Sequence, residues 1–220
     1  MVEMLHAYDP QGVVIKTEPK RRLLTEQRES SVERGDSPFA VGVVYVLLSH
    51  PEEGVYVVQR ANKREDPYLW SAAVAGHISA DESPEETARR ETVEELLTKI
   101  EIASSVDEYT DRLKTDPLTE HAIVRKIDFI PWFGTYRIDR ITQRTWQKRT
   151  HAHIFAGMYR ALPVFNEQEP GDDDEFSDGM GEARAVKIYQ KEELQRLLVQ
   201  NDPRFTHTLG VLVNRYHAFL

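Results

Sequence analysis

The chain has 220 residues, 40% of them hydrophobic, which is enough for a sizeable core and excludes wholesale disorder. A net charge of −9 and a pI near 5.4 argue against a general nucleic-acid binder, which needs a basic footprint. No cysteine is present, so disulfides, thiolate metal sites and cysteine nucleophiles are excluded. No apolar run approaches the roughly 20 residues that span a bilayer, and the first residues show no secretion signal. A cytoplasmic protein without membrane contact is expected.

Near the start, LHAYD and VVIKT flank Asp9-Pro10-Gln11-Gly12, which predicts a hairpin. A short helix is expected around Arg22 to Glu29. AVGVVYVLLSH (40–50) and GVYVVQR (54–60) are rich in Val and Tyr and read as adjacent antiparallel strands, with SAAVAGHIS (71–79) as a third. The next helix is punctuated by Ser83 at the N-cap, Pro84 at the first position and Glu86 as the return partner. Val93, Leu96, Leu97 and Ile100 then share one face at helical spacing, which predicts that this stripe packs inward. Residues 101–126 read as helical or irregular. Strands are expected at 126–130, 135–141, 153–161 and 182–189, and helices at 191–200 and 207–219. This order predicts an α/β fold with a mixed sheet between helices. Two charged segments stand out, an acidic run over 167–178 with seven carboxylates and a basic one over 137–153, each expected to be a solvated loop or hairpin.

The chemistry concentrates in GHISADESPEETARRETVEELLT. Glu91, Glu94 and Glu95 stand at i, i+3 and i+4, so a helix clusters their carboxylates. Hard oxygen donors at that spacing suit Mg²⁺ or Mn²⁺. A solvated acidic face opposite the Val93 stripe would show the same letters. Glu86 can reach Arg90, Arg90 can reach Glu94, and Glu95 can reach Lys99, whereas Glu91 has no cation three or four residues away.

The segment closely resembles the Nudix box, agreeing at Gly76, Glu82, Arg90, Glu91, Glu94 and Glu95. It departs at Thr92, at Leu97 in place of glycine, and at Thr98. Leu97 suggests a helix that runs on or ends differently. The resemblance implies a single Nudix domain over 1–220. It would be an α/β/α sandwich with residues 1–35 as an N-terminal hairpin extension and 101–126 as a helical insertion. It also implies Mg²⁺ (with Mn²⁺ as a substitute) on Glu91, Glu94, Glu95 and the Gly76 carbonyl. Arg90 would orient the box and Glu82 would support it. Glu182, which starts EARAVKIYQKEEL, is the candidate for a later-loop general base. Arg60, Lys63, Trp70 and His77 are candidate substrate contacts.

Residues 5–100 also resemble the Nudix branch related to type I isopentenyl-diphosphate isomerases, which carry a cysteine immediately before the box glycine. Ala75 stands there, and alanine transfers no proton. The expected activity is hydrolysis of a diphosphate linkage in a nucleoside diphosphate derivative or another small organic pyrophosphate. A non-catalytic metabolite-binding module and an isomerase-like protein are the alternatives, and homodimer formation is left open. His151 and His153 share a strand face and read as polar residues without a site role.

Overall fold

The computed structural model describes residues 2–61, 64–161 and 183–220. The chain opens with the expected hairpin, β1 (Met4–Tyr8) and β2 (Val14–Pro19). Asp9 makes its turn, because Asp9 Oδ1 accepts from the backbone N–H groups of Gln11 and Val13. Helix α1 (Lys20–Arg34) runs past both ends of the expected 22–29. Its buried residues are Leu23, Gln27 and Ser31, evenly spaced but two of them polar, so apolar periodicity understates its length. Gln27 Nε2 docks the helix by donating to the carbonyls of Phe39 and Arg149.

The spine of the molecule is β3 (Ala40–His50), buried at every position but the last. One edge pairs in parallel with β9 (Thr145–Met158). The other edge is shared by three strands in succession. These are β1 at Val41 and Ala40, β6 (Val74–His77) over Val43 to Val46, and β4 (Gly54–Arg60) at Ser49 and His50. β5 (Trp70–Ala72) pairs with β4 instead. The run expected as one strand over 71–79 therefore breaks at Ala73 and crosses from β4 to β3. That crossing delivers Gly76 and His77 to the middle of the sheet.

The sheet order is β10 (Ala183–Tyr189), β4, β3, β9, β8 (His121–Ile138), β7 (Lys99–Ala103). The expected strands at 126–130 and 135–141 belong to one long β8. Its register shifts between Ile130 and Phe133, where Pro131 has no N–H to give the ladder. The basic segment 137–153 forms a hairpin turn and most of β9, with Ile138 facing Thr145. Residues 101–126 are only partly helical. β7 is a sheet strand parallel to β8, and α3 (Val106–Thr115) follows it.

Along β3 the side chains alternate between two cores. Val43, Tyr45 and Leu47 pack with Leu23 of α1, Leu194 of α4 (Lys191–Val199) and Leu212 of α5 (His207–Tyr216). Val44 and Val46 pack with Ala88 and Leu96 of α2 (Pro84–Leu96). Helices thus cover both faces of a mixed sheet, the expected α/β/α sandwich. Among the described residues no helix is long and apolar enough to cross a membrane.

Candidate active site

α2 begins as its sequence dictates. Ser83 Oγ accepts from the Glu86 N–H, and the Glu86 carboxylate accepts from the Ser83 N–H, closing a capping box. Glu86 is thereby committed to Ser83 rather than to Arg90. The helix ends at Leu96. Leu97 takes the left-handed conformation, φ 53, that a glycine would adopt, and its N–H bonds to the Val93 carbonyl. The exit is therefore the ordinary glycine-type one, made by a leucine.

The face of α2 that turns inward matches the expectation only in part: Leu96 and Ile100 are buried, whereas Val93 and Leu97 are not. Its buried residues are Thr87, Ala88, Glu91, Thr92, Glu95 and Leu96. Val93 is 46% exposed and Leu97 68%. The helix buries two carboxylates, Glu91 and Glu95, while leaving Val93 to solvent, which solvation alone cannot explain. The acids are buried because each has a receiver. Glu95 Oε2 accepts from the Ala75 N–H at 3.1 Å, not from Lys99. Glu91 lies against Gly76, where an added Cβ would fall inside the Glu91 carboxyl group. Glycine at 76 is a requirement of that contact.

Arg90 binds the acids together. Its guanidinium donates to both oxygens of Glu82 at 2.8 and 2.9 Å, to Glu91 Oε1 at 2.8 Å and to Glu94 Oε2 at 3.1 Å. Glu91 thus has a cation on its own helix, the adjacent residue. The hydrogen bond from Arg90 holds the Glu82 carboxyl below the usual carboxylate range, against a smaller opposing push from burial.

Glu91, Glu94, Gly76 and His77 line a cleft of about 500 Å³. Val43 and Tyr45 of β3 and Leu24 of α1 line it as well. Across from the box stand Arg28, Arg60, Arg64, Arg137 and Lys148, with Glu65 among them. Ion pairs knit this wall: Arg28 to Glu65 at 3.0 Å, Arg64 to Asp139 at 2.8 Å, and Arg137 to Asp66 at 2.7 Å. Asp66 holds φ 48 and Tyr68 φ 63, so the loop carrying Glu65 is held in left-handed backbone by the bonds Asp66 accepts.

The model of the NUDIX domain matches residues 37–209, more than three-quarters of the chain. The chain belongs to the Nudix hydrolase family. The structure is similar to that of DR0079 from Deinococcus radiodurans, with a TM-score of 0.60 and 16% identity over 97% of this chain and 98% of that one. It is also similar to a bifunctional NMN adenylyltransferase/ADP ribose pyrophosphatase from Francisella tularensis, with a TM-score of 0.43 and 15% identity. That match covers 90% of this chain and 46% of the other. The Ap4A hydrolase of C. elegans gives a TM-score of 0.41 and 13% identity over 82% and 98% of the two chains. No curated protein sequence matches.

Within this Nudix chain the expected site residues divide. Gly76, His77, Arg90, Glu91, Glu94 and Arg60 all line one cleft. Glu82 supports Arg90 from outside it, and Glu95 is turned toward the Ala75 amide. Trp70 does not line the cleft. Its ring stands edge-on to Tyr189, 6.4 Å between centroids, at the margin of the core. Lys63, Glu182 and the acidic run 167–178 lie outside the described residues. His151 and His153 are far from inert polar groups: their rings pack with Phe129, and His151 stacks on Tyr8.

Sequence reasoning missed Arg28, Glu65, Asp66, Arg137 and Lys148. One signal was there. Inward positions of β9 run Trp146, Lys148, Thr150, Ala152, Ile154, so a lysine sits on an otherwise core-facing row.

Among the described residues, no three His, Asp or Glu side chains converge as a ready metal cage. The donor set nevertheless suits a hard divalent ion that keeps waters and shares substrate oxygens. Glu91 and Glu94 both face the cleft, and Glu94, 43% exposed, is free to swing from Arg90. Glu91 is already fixed by Gly76.

Proposed function

We propose that this protein hydrolyses a diphosphate linkage in a nucleoside diphosphate derivative or another small organic pyrophosphate, with Mg²⁺ or Mn²⁺ as its cofactor. One observation carries the reading. A buried glutamate packed on a glycine lies at one wall of a cleft whose other wall is rich in arginine and lysine. Such a cleft matches a polyanion that brings a divalent ion with it.

Glu91 and Glu94 would hold the ion, with the Gly76 backbone and Glu95 as further candidates. The ion supplies charge against the diphosphate oxygens and makes an attacking water more acidic. Arg90 holds Glu91 and Glu94 in place by hydrogen bonds, and Glu82 in turn fixes Arg90. Arg60 and Arg64 would draw the diphosphate in, with Lys63 beside them in sequence. Glu182, the residue before β10 in sequence, stands as the candidate general base. The chain is read as a hydrolase rather than an isomerase because Ala75 has no transferable proton.

The test is a panel of diphosphates incubated with Mg²⁺ and scored for released phosphate, comparing wild type with Glu94→Gln. Hydrolysis that falls by roughly 10²-fold or more in the variant supports the reading. If both proteins are inert yet bind a panel member, the chain is a binding module. Interconversion of isopentenyl and dimethylallyl diphosphates would make it an isomerase.

A further inference from the structure

Among the described residues, Lys148 is a cleft cation with bonding capacity to spare. Its side chain is 7% exposed, and its Nζ stands 3.2 Å from His77 Nε2 and 3.9 Å from Glu65 Oε2. An ammonium carries three hydrogens, and the imidazole takes one. Glu65 is beyond hydrogen-bond length and already accepts from Arg28 at 3.0 Å. Its neighbours are similarly short of acceptors. Arg60 donates to the Glu65 backbone carbonyl, and Arg137 Nε is buried with no hydrogen-bond partner among the described residues, although its Nη1 reaches Asp66. Among the described residues of this corner, the cations Arg28, Arg60, Arg137 and Lys148 outnumber the adjacent carboxylates Glu65, Asp66 and Asp139. Such an arrangement is costly unless an anion shares the site.

We propose that Lys148 binds the substrate phosphate lying away from the box carboxylates, and that His77 orients this ammonium instead of ligating a metal. The proposal rests on the diphosphate reading of the cleft. His77 Nε2 accepts from Lys148, so the neutral ring carries its proton on Nδ1. A metal at the same nitrogen would have to displace a fixed cation.

In hydrolysis, water oxygen bonds to one phosphorus, and its proton passes to a carboxylate. The bridging P–O bond breaks with its electron pair going to the departing phosphate. Lys148 donates to that phosphate as its charge grows, and a buried fixed cation needs no rearrangement to do so. Burial holds the Lys148 pKa down to about 8 against the pull of Glu65, with Arg137 and Arg60 adding to the depression. The ammonium is therefore less favoured than in water, although it remains the main form at pH 7, and an arriving anion stabilises it.

The experiment uses imidodiphosphate, which is not hydrolysed at its P–N–P bridge, and measures its binding by calorimetry at pH 7. Wild type, Lys148→Met, Lys148→Gln, Lys148→Arg and His77→Ala are compared, with thermal unfolding of each. Loss of affinity by roughly tenfold or more in the Met and Gln variants is expected, with partial recovery in Lys148→Arg. The Met variant should melt no lower than wild type, since a disfavoured charge has been removed. Mn²⁺ affinity, read by electron paramagnetic resonance, should be unchanged in His77→Ala. Undiminished imidodiphosphate binding without Lys148, or a tenfold loss of Mn²⁺ affinity in His77→Ala, would overturn the assignment. A wild-type protein that binds imidodiphosphate through Lys148 but hydrolyses nothing would instead remove the hydrolase reading and leave this one standing.

Discussion

The two walls of the cleft are built on different length scales. On the box wall, Arg90 reaches Glu91, Glu94 and Glu82, its neighbours at one, four and eight residues. On the opposite wall, Arg28 reaches Glu65 across 37 residues, Arg137 reaches Asp66 across 71, and Arg64 reaches Asp139 across 75. The first wall is one helix and the turn before it, so helical spacing brings its charges together before any tertiary contact forms. The second exists only once β8 and β9 have found their register and α1 has docked. A local wall can tolerate the loss of one bond. A wall assembled from four segments cannot, because each pair also ties segments together.

Asp66→Ala is the sharpest way to break that contrast. It would leave Arg137, 6% exposed, as a buried unpaired cation and free the loop that Asp66 holds to Ile138. The expected loss is about 3–5 kcal/mol in urea unfolding. Glu82→Ala on the box wall should cost only about 1 kcal/mol, because Arg90 is 33% exposed and keeps Glu91 and Glu94. Equal losses from the two variants would erase the distinction between the walls.

The same contrast explains what could be read from the letters. The capping box, the glutamate spacing and Gly76 are short-range, and all of them stand in the structure. The expected face of α2 holds at Leu96 and fails at Val93, because hydrophobicity alone orients a helix only when its polar residues have nowhere else to go. Here Glu91 and Glu95 find Arg90 and the Ala75 amide inside, and Val93 is left out. β7 was hidden for a related reason: Lys99–Ala103 is five residues long with an exposed lysine and glutamate, too short for alternation to declare itself. Lys148 was hidden among other basic residues in a segment that looked like a solvated hairpin.

pH separates the walls a second way. Lys148 titrates at about 8 in the folded chain against 10.5 for the free side chain, so between these values the unfolded state binds more protons. Stability therefore rises with pH across that window, by up to about 3 kcal/mol. Glu82 gives a slope of the same sign from the opposite cause, because folding favours its charged form: its depressed pKa gives stability that is present above 4.5 and lost as pH falls through the folded value. Unfolding free energies at pH 7.5 and 10 should show the rise in wild type and a flatter profile in Lys148→Met. A rise of the same size in that variant would mean that the basic wall carries no penalty from its own charge.

The smallest expected effect lies where the box wall departs from its family pattern. Leu97 and Leu118 share a left-handed backbone, φ 53 and 58, yet Leu97 is 68% exposed and Leu118 1%. A left-handed conformation costs a residue with a Cβ about 1–2 kcal/mol, which glycine avoids at an entropic cost of about 0.5–1 kcal/mol. At position 97 almost no burial is lost, so Leu97→Gly should stabilise the fold by roughly 0.5–1 kcal/mol. At position 118 the same substitution removes a buried side chain and should destabilise by about 2 kcal/mol or more. The sign at position 97 decides what that leucine is for. If Leu97→Gly lowers the melting temperature instead, its side chain must be covered by something in solution, because on this surface it has no core to fill.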